Sequence, residues 1–318
     1  MDQSLNHRAA AIADRMAAES ATLRVAVAYL SNHARVIDCG IAAEGGFEAG
    51  RRLAEICLGG LGEVTLTTSD LGGLMLPAVQ VHIDDPVPAC LASQYAGWAI
   101  EREGYFAMGS GPARSLARAE KELFGRLGYT ERAQRAVLVL EGRTPPDARV
   151  AEHVAERCRI DPAALTILIA PTASIAGCVQ IAARSVETAL HKLMEIGFDL
   201  TTLRSGAGIC PIAPVAKNDL RGIGWTNDCI LYAARAYLAL RASDEAIDAV
   251  ADRLPASASA DYGTPFYDIF KRYDGQFYKI DKMLFSPAEV TINNLLTGRV
   301  VRRGRVNAEV LRASLGLA

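Results

Sequence analysis

The chain reads as an α/β protein, and three observations carry that reading. Short β-rich runs alternate with stretches of helical periodicity, the apolar half of the sequence is mostly aliphatic, and 318 residues suffice for two domains of ordinary size. Hydrophobic residues make up 50% of the chain and charged ones 22%, the balance of a compact protein with a large core. Aromatic residues contribute only 6%, which suits helices layered on sheets better than a β-sandwich.

The elements follow in order. Leu5, Ala9, Ile12, Ala13 and Met16 share one face of a helix over residues 5–20. β-rich runs come next at 25–30, 35–39, 63–68 and 79–83, with a helix over 47–58 between them. A helix over 113–127 follows Gly109-Ser110-Gly111-Pro112, and a strand over 136–140 succeeds it. Residues 142–147, with two prolines, offer the best break between an N-terminal α/β region (1–142) and a C-terminal one (143–318). They serve equally as a strand-to-helix turn, and the domains need not be continuous in sequence. Beyond them the pattern gives a helix near 147–159, a buried strand at 165–170, and helices near 179–195 and 227–240.

Composition excludes several classes. The net charge of -2 is spread along the chain, with no basic stripe for nucleic acid and no polybasic arm for a membrane. Met1-Asp2-Gln3-Ser4 lacks the pattern of a signal peptide, and no apolar run reaches the roughly 18 residues of a bilayer span, so a cytoplasmic protein is expected. The 7 cysteines stand far apart without a Cys-x-x-Cys pair, as reduced thiols do. The 5 histidines are dispersed as well, and no bound metal is expected.

Four segments carry possible chemistry. If residues 178–194 form one helix, Gln180, Arg184, Glu187 and His191 fall on a narrow stripe, spaced by 4, 3 and 4. Val179, Val186, Leu190 and Leu193 fill a neighbouring apolar sector, and Ser185, Thr188 and Lys192 face solvent. Such a stripe lies where a helix meets a cleft; the bland alternative is an exposed ion pair worth a few tenths of a kcal/mol. Around Ser110, the Gly-Ser-Gly-Pro turn before a helix, with Arg114 close by, suits an anion held by free N–H groups, or simply a capped helix start. A long Gly/Pro loop from Ala207 ends in Thr226, Asn227 and Asp228, helix N-cap residues that also suit ligand contacts; Cys210 within it has no histidine nearby to activate it and reads as a packed thiol. Finally, eight Phe and Tyr residues fall between Tyr262 and Phe285, among them Phe266, Tyr267, Phe277 and Tyr278. They suit either a flat heterocycle or a satellite hydrophobic cluster.

At these segments the sequence resembles the methenyltetrahydromethanopterin cyclohydrolases of methanogens and methylotrophic bacteria. The matching stretches are 31–40, Gln94-Tyr-Ala-Gly-Trp, Gly109-Ser-Gly-Pro-Ala-Arg, 174–191, 224–228, 262–271 and 284–298, covering the chain from about residue 5 onward. The resemblance implies two α/β domains with a large ligand pocket between them, a homotrimer, and reversible hydrolysis of the N5,N10-methenyl cation to N5-formyltetrahydromethanopterin in one-carbon metabolism. It implies no metal and no separate cofactor, the pterin derivative being the substrate. The family's catalytic glutamate and arginine match Glu187 and Arg184. Candidate substrate-binding residues are Gln180, Ser110, Arg114, Gln94, Tyr95, Thr226, Asn227, Asp228, Tyr262, Phe266, Tyr267, Phe285 and Asn293. Archaeal members often carry a lysine just before Ala-Gly-Trp, whereas this chain has Gln94 and Tyr95.

The residue types fit the chemistry. A methenyl carbon between two nitrogens is electrophilic and needs only a held water and a base. An adjacent Arg and a cationic substrate both favour the ionised glutamate, so burial has to oppose them if it is to act as a base. A non-catalytic pterin carrier would keep the aromatic cluster but needs no such base, and a tetrahydrofolate cyclohydrolase would keep both.

Overall fold

The computed structural model describes residues 4–276 and 279–317. Phe277 and Tyr278 of the aromatic-rich segment lie outside the described residues. The chain forms two compact units, each built from two segments: Met1–Glu63 with Pro88–Gln180, and Val64–Val87 with Ile181–Ala318. The division does not fall at 142/143. Residues 142–147 lie inside the first unit as a strand-to-helix connection, the turn that Gly142 and the two prolines also allow.

The first segment holds α1 (Leu5–Ala18), α2 (Ser20–Leu23), β1 (Ala26–Tyr29), β2 (Arg35–Asp38) and α3 (Phe47–Cys57). Ser4 caps α1, its hydroxyl accepting from His7 N–H at 3.2 Å, and Leu5, Ala9, Ile12, Ala13 and Met16 are all buried as their spacing predicts. Next come β3 (Gly62–Asp70) and β4 (Met75–Ile83), then a turn of π-helix at Val87–Gln94. The chain continues through β5 (Trp98–Arg102), β6 (Tyr105–Ser110), α4 (Ala113–Ala117), α5 (Lys121–Leu127), β7 (Ala136–Glu141), α6 (Ala148–Cys158), β8 (Leu165–Ala170) and α7 (Ile175–Ala182). The helix expected over 113–127 is broken because Arg118 adopts a left-handed conformation (φ 45°) that ends α4. Asp147 caps α6 through Val150 N–H at 2.9 Å.

In the first unit six strands run in the order β1-β2-β8-β7-β6-β5, with β2, β8 and β7 parallel and the flanking pairs antiparallel. Side chains alternate between two cores. Ile37, Val139 and Leu168 pack with α1, α3 and Ala176 of α7. Val36, Leu138 and Ile167 pack with Val150 and Val154 of α6 on the other face. Because β7 and β8 are covered on both faces, they read in sequence as nearly continuous apolar runs, interrupted in β8 by Thr166, instead of alternating ones.

The second unit continues with α8 (Ser185–Glu195), β9 (Leu203–Pro211), α9 (Asp219–Ala233), β10 (Arg235–Leu240), α10 (Asp244–Ala251), α11 (Phe266–Arg272), β11 (Glu289–Asn294), β12 (Val300–Gly304) and α12 (Ala308–Leu315). Its sheet runs β12-β11-β10-β9-β4-β3, with β10 and β11 parallel. The helix expected over 227–240 therefore gives way to a strand at 235. Alanine and leucine there favour a helix locally, but pairing with β9 on one side and β11 on the other outweighs that preference. Among the described residues, no helix is long and apolar enough to cross a membrane.

Candidate active site

Residues 178–194 are two helices, not one. Arg184 N–H bonds back three residues to the Ile181 carbonyl at 3.0 Å, which tightens the chain and ends α7. Arg184 (φ −89°, ψ 8°) then becomes the residue before α8, and Glu187 lies in the first turn of α8. The i,i+3 relation survives the break: Arg184 Nη1 lies 3.7 Å from Glu187 Oε2. The pair is not an exposed one, since Arg184 is 8% and Glu187 4% exposed. Both side chains are buried, and Glu187 lies at the N-terminal end of α8, where the helix dipole favours negative charge. Gln180 is buried on α7, in the segment of the first unit, while Arg184 and Glu187 belong to the second. His191 is half-buried, with Nε2 3.9 Å from Glu195 Oε1.

The side of α8 expected to face solvent is packed. Ser185 and Lys192 are fully buried, and only Thr188 keeps partial exposure. The reason lies in β9, where Gly206 and Gly208 leave room for the helix; a β-carbon on Gly206 would come within 2.7 Å of Val186 Cγ1. Lys192 Nζ donates to the Met283 carbonyl, and burial pushes the amine down to about 8.

The Ser110–Arg114 segment forms a buried turn. Ser110 ends β6, buried, with Oγ 3.5 Å from Cys57 Sγ. Gly111 N–H donates to the Ser93 carbonyl, and the N–H groups of Arg114 and Ser115 close the turn on Gly111 and Pro112. Arg114 is fully buried: Nε donates to Glu120 at 2.8 Å, Nη1 to the Ser93 and Leu91 carbonyls, and the guanidinium lies over the rings of Tyr95 and Phe124. These donors bond within the protein, while Arg114 Nη2 is buried without a hydrogen-bond partner among the described residues. The same arginine pins the π-helical turn that carries Gln94, which is buried, and Tyr95, whose N–H bonds the Cys90 carbonyl five residues back.

Thr226, Asn227 and Asp228 do not cap a helix after a long loop. Ala207–Pro211 is part of β9, and α9 starts at Asp219 with Asn218 as its cap. Thr226 Oγ1 and Asn227 Nδ2 bond back to carbonyls one turn earlier, as mid-helix polar residues do. Asp228, fully buried, accepts from Phe266 N–H at 2.8 Å and from the Ser314 hydroxyl, so it ties α11 and α12 to α9. Burial raises its carboxyl to about 7. Phe266 is fully buried, edge-on to Phe285 at 5.8 Å and stacked with Phe270; Tyr262 packs against Tyr232. The cations of Arg221 and Lys271 both lie over the Tyr267 ring. Among the described residues these rings pack on one another, with Tyr262, Tyr267 and Phe285 keeping partial exposure. Asn293 sits half-buried in β11. Cys210 is buried and its thiol is pushed up by burial; all 7 cysteines are free and buried.

One polar group went unnoticed in the sequence. At the carboxyl ends of β7 and β8, Thr172 donates its hydroxyl to Glu141. Neither residue stands in a motif, and only the strand pairing brings them together. Nearby in the same unit, Asp38 accepts from the N–H groups of Gly40, Ile41, Ala42 and Ala43, which fixes the loop after β2 and holds its carboxyl below the usual range.

A family model described as Cyclohydrolase (MCH) matches residues 4–315, which makes the chain an enzyme of the hydrolase class. Among its relatives is the methenyltetrahydromethanopterin cyclohydrolase of Methanosarcina barkeri, 44% identical over 99% of this chain and 98% of the relative. Proteins of the same description from Methylobacterium sp. (44%; 98% of this chain, 97% of the relative) and Methanocaldococcus jannaschii (42%; 98% and 98%) are similar along the same span. The chain belongs to the methenyltetrahydromethanopterin cyclohydrolase family.

Proposed function

We propose that the chain reversibly hydrolyses N5,N10-methenyltetrahydromethanopterin to the N5-formyl compound, with Glu187 as the proton-transfer residue and Arg184 as its partner. The observation that carries this reading is the buried Arg184–Glu187 pair at the start of α8. Water adds to the cationic methenyl carbon, Glu187 takes one of its protons, and the C–N10 bond breaks as N10 receives a proton; overall one proton is released to solvent. Arg184 orients the carboxylate and stabilises the oxygen as charge develops on it. The substrate supplies the positive charge that a Lewis acid would otherwise provide, so the reading needs no metal and no organic cofactor.

The same reading places the enzyme in the cytoplasm, in one-carbon metabolism, as the homotrimer that the resemblance implies. Loss of the methenyl chromophore on adding enzyme tests the activity, with the tetrahydrofolate derivative run alongside. Turnover of the methanopterin substrate after exhaustive dialysis against a chelator supports the reading. No turnover of either substrate, or activity restored only by a divalent ion, overturns it.

A further inference from the structure

β7 and β8 are parallel neighbours in the first sheet, with Glu141 paired beside Ala170 at their carboxyl ends. The chain leaves β7 for α6, which packs on the face of Leu138 and Ile167. It leaves β8 for α7, whose Ala176 packs on the opposite face with Val139 and Leu168. Connections that diverge in this way leave a crevice between them, and in open α/β sheets ligands bind at such switch points.

Glu141 is the last residue of β7, at this switch point. It is half-buried, while Thr172 beside it is 3% exposed. The Thr172 hydroxyl donates to Glu141 Oε1, and the Thr172 carbonyl in turn accepts from the Cys178 thiol at 3.5 Å. Among the described residues no protein group donates to Oε2, and no cation pairs with this carboxylate. Glu141 caps no helix either, since α6 is capped by Asp147. One oxygen is thus fixed and the other open, an arrangement that orients a carboxylate toward a planar pair of N–H donors.

We propose that Glu141, oriented by Thr172, receives the 2-amino-4-oxopyrimidine edge of the pterin, with the ring N3–H and the exocyclic amine donating to the carboxylate. This rests on the pterin reading above and adds the residue that recognises the ring. It also gives the chemical reason for choosing a pterin over its 2-oxo counterpart, whose oxygen would face the carboxylate and be repelled.

The test is equilibrium binding of tetrahydromethanopterin to the full-length wild type and to Glu141→Gln, Glu141→Ala and Thr172→Val, with 6-methylpterin and 6-methyllumazine as competitors. Thermal unfolding checks that each variant is folded, and the near-isosteric Thr172→Val serves if the Glu141 variants are not. Loss of a charged hydrogen-bond acceptor should raise Kd by about 10- to 100-fold, with Thr172→Val in between. In turnover the loss should fall on KM ahead of kcat. Wild type should prefer 6-methylpterin to 6-methyllumazine, and Glu141→Ala should not. Unchanged Kd in folded variants, or the same preference in Glu141→Ala, overturns the inference. Wild type that binds the pterin but leaves the methenyl group intact defeats the activity and not the recognition, whereas normal turnover with unchanged KM in Glu141→Gln does the reverse.

Discussion

Ser185 Oγ occupies the space that a β-carbon on Gly208 would need. The contact lets α8 lie directly on β9 and thereby sets where the first turn of the helix, with Glu187, is held. Ser185 Oγ is buried and makes no hydrogen bond. Gly208→Ala should therefore force α8 off the strand, costing about 1–3 kcal/mol and lowering kcat as Glu187 shifts. Ser185→Ala removes an unsatisfied hydroxyl, so it should be neutral or slightly stabilising and should restore part of what Gly208→Ala loses. Denaturant unfolding of the two single variants and the double variant checks this; strictly additive effects would show that the two residues do not meet.

Glu187→Gln preserves shape but removes the proposed base, so kcat should fall by about two to four orders of magnitude while substrate binding changes far less. Arg184→Ala should also lower kcat, and the double variant should lose less than the product of the single losses, because the pair acts as a unit. Steady-state kinetics with a folding check decides the matter. A folded Glu187→Gln enzyme within about threefold of wild-type kcat would place the base elsewhere.

Asp228 predicts a pH dependence of stability. Its carboxyl titrates near 7 in the folded chain because burial penalises the anion, whereas an unfolded chain releases that proton near 3.9. The folded state therefore holds more protons across that interval. The contribution of this group is complete below about pH 4 and is lost as pH rises through 7. Asp228→Asn mimics the protonated form and should flatten the decline in stability between about pH 4 and 7, an effect of at most about 4 kcal/mol. A variant with the wild-type slope across that window would remove Asp228 as its cause.

Arg114 is expected to matter for folding ahead of ligand affinity. Arg114→Met strands Glu120 and the Leu91 and Ser93 carbonyls inside the first unit, so it should cost about 3–5 kcal/mol. Unfolding measurements set beside pterin binding test this. A stable variant with weakened binding would return the residue to the substrate.

Much of the fold follows from local pattern. The spacing of Leu5, Ala9, Ala13 and Met16 determines α1 and its buried face, and the apolar runs of β7 and β8 announce strands covered on both sides. The Arg184–Glu187 pair was legible too, because residues three apart are neighbours whether they lie along one helix or across the first turn of a second. Residues 235–240 were misleading for the opposite reason: nothing local to Arg-Ala-Tyr-Leu-Ala-Leu reveals that β9 and β11 are waiting on either side.

By itself, then, the sequence determined the α/β class, the face of α1 and the spacing of the candidate base and its arginine. Tertiary structure decided which polar residues are free to meet a ligand. Arg114 and Asp228 look available in sequence, and each is claimed by partners elsewhere in the chain; Lys192, which looks solvated, is buried with its amine on a carbonyl of residue 283. Glu141 acquires its place only when β7 pairs with β8. Periodicity is a property of neighbours along the chain. Burial and hydrogen-bond satisfaction depend on groups brought together from far apart in it, and those groups determine which charges are already spent.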